Sequence, residues 1–151
     1  MRPTMLFLAS LVALVCGASS PSYGQSQSSQ TLLYNTGDPA DWPADLDAMI
    51  AAPMNHKVLL ETDKVRVLDV QIAPGELENL HHHRWPSVLY IIEAGDFIDR
   101  DADGKVILDT RQMEKPLTFP LTMWKEPEAP HSVENLSQTQ PIRLIRVELK
   151  K

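Results

Sequence analysis

From residue 56 onward the chain is a series of short apolar runs separated by turn residues. VLLE (58–61), VRVLDVQI (65–72), SVLYIIE (87–93), DFIDR (96–100), KVILDT (105–110), LTFPLTMW (117–124) and PIRLIRVELK (141–150) each have the length and the β-branched or aromatic content of a strand. TDK between the first two predicts a hairpin, Ala73-Pro74-Gly75 a turn, and DADG (101–104) another hairpin. Helical periodicity is confined to DPADWPADLDAMIAAP (38–53). There Asp41 can cap a helix, Pro43 suits its first turn, Trp42, Leu46, Met49 and Ile50 share a face, and Pro53 ends it. The pattern predicts an all-β sandwich or barrel with one short N-terminal helix. A doubly wound sheet is excluded, because no helices alternate with the strands.

The chain begins with a different pattern. Arg2 precedes an apolar run from Met5 to Val15, and small and polar residues follow, which is the layout of a secretory signal peptide. The run is too short for a membrane span, which takes about 20 apolar residues. Residues 19–30, SSPSYGQSQSSQ, have a linker composition. The expected organisation is a signal peptide over 1–24, a linker with a short helix over 25–55, and one barrel domain over 56–151, in a protein that is periplasmic or secreted after cleavage.

Cys16 is the one cysteine and falls within the signal, so the mature fold is stabilised without a disulfide. The net charge is −6 and the bases form no stripe, which excludes nucleic acid and anionic membrane surfaces as partners. A small molecule and a second copy of the chain are the partners left to expect.

Candidate chemistry centres on the histidines. His81, His82 and His83 are consecutive. In an extended chain His81 and His83 share a face and can chelate one ion, while His82 points the other way. A structural zinc finger would need cysteines. His131, in PEAPHSVEN, can join the pair only across a closed barrel or sandwich, and His56 has no spaced partner and receives no role. DRDADG (99–104) opens like a calcium loop, but the position of its bidentate acid is Thr110, so a hairpin turn explains it better. Phe119 and Trp124 fit core positions, and Trp85 beside Pro86 an edge of the barrel.

Two spacings carry a resemblance. Gly75-x5-His81-x-His83, then four residues to position 88 and six more to Gly95, fits the first motif of the cupins, G-x5-H-x-H-x3,4-E-x6-G, at four of five fixed residues. His131 and Asn135 fit the H-x3-N end of the second motif, whose glycines and proline are replaced. The chain therefore resembles a small single-domain cupin over about residues 56–151. The resemblance implies a double-stranded β-helix, or jelly-roll barrel, able to hold one small ligand. The departure is Val88, where the family usually has a glutamate ligand. Glu78 and Glu93 have the wrong parity to replace it and are expected to face outward.

The resemblance implies a divalent metal (Fe, Mn, Ni, Cu or Zn) on His81, His83 and His131, with Val88, Tyr90 and Ile92 lining the interior. Some cupins hold a metal with three histidines alone, as thiol dioxygenases and a diketone-cleaving relative do, and others have lost it. Two functions follow as expectations. One is a metal-dependent, dioxygenase-type enzyme acting on a small anionic or chelating molecule. The other is a barrel without catalytic metal that binds a small molecule, which the aliphatic Val88 favours.

Overall fold

A computed structural model describes residues 37–150. The expected signal peptide, Cys16 and the Ser/Gln-rich stretch expected as a linker lie outside the described residues. No helix among the described residues is long and apolar enough to cross a membrane.

The strands are β1 (His56–Glu61), β2 (Val65–Ile72), β3 (His81–His83), β4 (Ser87–Glu93), β5 (Phe97–Asp101), β6 (Val106–Asp109), β7 (Leu121–Lys125), β8 (Glu128–Asn135) and β9 (Ile142–Leu149). They form two antiparallel sheets, ordered β1-β2-β9-β4-β7 and β3-β8-β5-β6. The runs at 65–72 and 87–93 are strands over their full predicted length. Asp101 closes the β5–β6 hairpin, its carboxylate accepting from the N–H groups of Asp103 and Lys105, and Gly104 takes φ 78° there.

Alternation along the central strands fixes the interior. On β9 the inward row is Ile142, Leu144, Arg146 and Glu148, opposite Ile72, Val70, Leu68 and Arg66 of β2. On β4 it is Ser87, Leu89 and Ile91, opposite Glu148, Arg146 and Leu144. The interior therefore runs from apolar to ionic along the strands. Ile72, Ala94 and Ile142, packed against Phe97, Phe119, Val133 and Leu144, form the apolar end. Arg146, Glu148 and the histidines lie toward the other.

The N-terminal segment departs from expectation. The one short helix is present as a single α-helical turn, α1 (Ala48–Ala51), shorter than its apolar period and preceded by 3-10 turns at Pro39–Asp41 and Ala44–Leu46. Pro43 forces Trp42 into an extended conformation, ψ 142°, which ends the first turn. Asp38 and Asp47 provide the caps instead of Asp41. Trp42, Ala48 and Ala52 are buried, whereas Ile50 is exposed.

Candidate functional site

β3 is three residues long, and all three of its histidines are buried. His81 and His83 face inward. His82 faces the N-terminal segment, where its Nε2 lies 2.9 Å from the Pro43 carbonyl oxygen and its ring packs on Trp42. His82 thus holds the segment to the barrel and takes no part in the site. His82→Ala should cost about 2 kcal/mol of stability. It should leave metal affinity unchanged, and a weaker affinity measured calorimetrically would count against this division of roles.

β8 pairs with β3 so that His131 lies opposite His81. The His81 and His131 ring centroids are 4.7 Å apart, and those of His83 and His131 6.0 Å. A further histidine joins them: His56, at the start of β1, has its ring centroid 4.8 Å from that of His81 and 5.1 Å from that of His83. One ring nitrogen from each of His56, His81 and His83 lies within 4.8 Å of the others.

Each of these rings is anchored by its Nδ1. His56 Nδ1 donates to the Ala52 carbonyl at 3.0 Å, and His81 Nδ1 to the Asn79 carbonyl at 2.8 Å. His83 Nδ1 donates to Glu148 Oε1 at 2.8 Å, and His131 Nδ1 to Asp99 Oδ1 at 3.0 Å. A carbonyl oxygen can only accept, so the proton of a neutral His56 or His81 ring is placed on Nδ1 and Nε2 is left as a lone pair; the carboxylates of Glu148 and Asp99, when ionised, place it there on His83 and His131. Metal-binding histidines are oriented in this way by their outer partners.

Electrostatics keeps three of the rings neutral. Burial lowers the pKa of His56 to about 4 and puts His81 and His83 well below the ordinary histidine value. Without a cation, the Nε2 atoms of His81 and His83 direct lone pairs at each other across 3.2 Å. His131 behaves differently: burial opposes its charge, but the Asp99 carboxylate raises its pKa. Its Nε2 is buried with no hydrogen-bond partner. The anchored rings of His56, His81 and His83 present converging nitrogens, a donor set that a divalent ion fits, while His131 groups with Asp99 and Glu128.

A second layer of charge surrounds the rings. Arg146 Nη1 donates to Glu128 Oε2 at 2.6 Å, and Lys125 Nζ lies 2.5 Å from Glu128 Oε1. Burial works against the Glu128 carboxylate, yet Arg146 and Lys125 hold its pKa far below the usual range. Glu148 faces Arg66 at 3.4 Å and Arg146 at 3.6 Å, while burial raises it to about 6. Glu78 is buried too, and desolvation raises it to about 8.

Among solved structures, a cupin domain from Bordetella pertussis Tohama I is similar to this chain at 20% identity and a TM-score of 0.51, over 64% of this chain and 92% of that one. The fold is that of the cupins. An RmlC-like cupin family protein with a double-stranded β-helix fold from Methanocaldococcus jannaschii is similar at 14% identity and TM-score 0.46, over 63% of this chain and 78% of that one. A cupin superfamily protein from Desulfitobacterium hafniense DCB-2 is similar at 14% identity and TM-score 0.44, over 64% and 76%. No protein-family model and no curated protein matches the chain. At 20% identity the Bordetella likeness carries the cupin fold and nothing of the chemistry.

The cupin barrel corrects three expectations. Val88, Tyr90 and Ile92 alternate with the inward Ser87, Leu89 and Ile91, and Tyr90 is 46% exposed, so these three face away from the interior. Parity does not carry from His83 to Val88 because the chain between them, Arg84-Trp85-Pro86, is not a strand. Counting three residues after His83, as the cupin spacing also allows, lands on the buried Ser87. Glu78 faces inward because the turn at Gly75, φ 73°, and the irregular chain before β3 break the alternation on that side as well. Trp124 lies on the outer face and is exposed, paired with Val88. Trp85 is covered by the Arg66 guanidinium, 4.7 Å from its ring centroid.

Proposed function

We propose that this cupin is an exported protein whose barrel holds one divalent metal ion on His56, His81, His83 and His131 and uses it on a small anionic or chelating molecule. The observation that supports the reading is the convergence of the anchored imidazoles. Three neutral rings present unshielded lone pairs to one another, and a positive ion relieves that repulsion. When bound, the ion supplies Lewis acidity and coordination positions that favour an anionic oxygen. The chain's own groups keep the rings oriented and neutral, and the inward Leu68 and Leu89, both buried, limit water beside Arg146. A dioxygenase-type oxidation is the finer reading of this site, and export follows from the signal-like residues 1–24.

A second reading, a barrel without catalytic metal that binds a small molecule, draws on a cleft of about 650 Å³ lined by Ala94, Gly95, Thr110, Arg111, Phe119 and Ser137. Ala94 and Phe119 belong to the apolar end, so this cleft is not the histidine site. Metal analysis of untagged protein purified without chelator separates the readings. One equivalent of iron, manganese, nickel, copper or zinc, lost in a His81→Ala His83→Ala variant, is the result expected. Metal-free protein whose melting temperature ignores all five ions favours the cleft.

A further inference from the structure

The geometry points to Glu78 as the carboxylate ligand of the metal site, replacing the glutamate that the motif lacks on β4. This inference rests on the metal-binding reading and assigns that site a donor. Four carboxylates are buried around the histidines: Glu78, Asp99, Glu128 and Glu148. Three are engaged. Asp99 accepts from His131, Glu128 is held by Arg146 and Lys125, and Glu148 accepts from His83 and faces two arginines. Among the described residues, Glu78 makes ion-pair contacts only with the histidines, 3.4 Å from His56 Nδ1 and 4.0 Å from His81 Nε2. Its Oε1 is buried with no hydrogen-bond partner. The nearby lone pair is that of His81 Nε2, and a buried carboxylate oxygen 4.0 Å from it is unfavourable unless the carboxyl keeps its proton or a cation serves both groups.

The backbone holds Glu78 in place. Its N–H donates to the Val133 carbonyl at 2.9 Å, and Leu77 bridges to Glu134, which ties the segment to the strand that carries His131. The preceding turn is closed by Glu76, which accepts from the Ala73 N–H and from Asn55 Nδ2. Asn55 directly precedes His56. One short loop thus links the supports of His56, Glu78 and His131. On β4 the inward residue is Ser87, a neutral hydroxyl and a poor ligand for a divalent ion. With Glu78 ionised, four neutral imidazoles and one carboxylate leave the bound ion a net charge of +1, a site that still attracts an anion.

The test titrates wild type, Glu78→Gln and Ser87→Ala with zinc and with cobalt(II). Losing an outer partner of a metal ligand costs about 10–100-fold in affinity, so losing a ligand should cost more than about 100-fold. Glu78→Gln is expected to exceed that loss and to shift the visible bands of the cobalt form, while Ser87→Ala binds like wild type. In the wild type, metal should also shift a carboxylate stretch in the infrared difference spectrum, a readout independent of how the variant folds. A loss below about 100-fold with unchanged cobalt bands, or no carboxylate band in the wild type, overturns the assignment and leaves the histidine site standing. A wild type that takes up neither ion overturns both.

Discussion

Arg146→Met is expected to lower the unfolding free energy by about 3–5 kcal/mol, a large fraction of the stability of a domain this size. Arg146 is 3% exposed and faces the interior between Leu68 of β2 and Leu89 of β4. It donates to Glu128 at 2.6 Å and lies 3.6 Å from Glu148. Its removal leaves the buried Glu128 with Lys125 as the remaining ion-pair partner among the described residues, and Glu148 with Arg66 and the His83 ring. The cost comes from the stranded carboxylates more than from the lost attraction. An Arg146→Met Glu128→Gln double variant should therefore recover part of the loss, because the stranded charge is gone. Urea unfolding of the two variants decides it. A single variant within about 1 kcal/mol of wild type would mean that water reaches Glu128 and that the interior is wetter than its burial implies.

The barrel was legible because strand signals are local. Alternation and turn residues placed β2 and β4 over their full lengths, and the glycine and histidine spacing tied them to one fold. His81, His83 and the turned-away His82 followed from alternation within one strand, which needs no knowledge of the neighbours. The misassigned residues lie where alternation is interrupted. Pro86 precedes β4 and the Gly75 turn precedes β3, so parity counted from the histidines was lost on both sides, at Val88 and at Glu78. His56 was missed for another reason. It sits opposite Val70 on the edge strand β1 and meets His81 and His83 across the space between the sheets, a contact with no short-range signature. The signal that existed was a histidine heading a strand; which face it would occupy depended on pairing with β2. The expected N-terminal helix is present but reduced to the one turn α1, because Pro43 lies inside its apolar period and fixes Trp42 before it in an extended conformation.

The stability of the metal-free protein should fall steeply as pH drops from about 6.5 toward 4, and metal should deepen the fall. His56 has its folded-state pKa lowered by burial to about 4, and His81 and His83 are lowered in the same way. A lowered histidine leaves the folded state with fewer protons than the unfolded chain once pH passes below about 6.5. The stability tied to neutral rings is therefore full above that value and is lost as pH falls toward the folded pKa. For His56 alone the loss is about 3 kcal/mol. The raised groups act in the opposite direction. Glu78, at about 8, and Glu148, at about 6, are fully tolerated below about 4.5 and weaken the fold as pH rises through their folded values. His131, also raised, contributes fully below about 6.5 and loses its contribution above its folded value. The metal-free fold should thus be most stable between these two flanks. A bound divalent ion stabilises the folded state by mass action, and it binds less tightly wherever protons compete for the imidazoles. Saturating metal should therefore raise stability most near and above neutral pH, where it also partners the ionised Glu78, and should raise it little near pH 4. Urea unfolding at intervals across this range, with chelator and with zinc, reads both curves. A chelated protein whose stability keeps rising as pH falls to about 4, with no loss on the acid side, would show that the rings are not sequestered, and the buried histidine cluster would fall with that result.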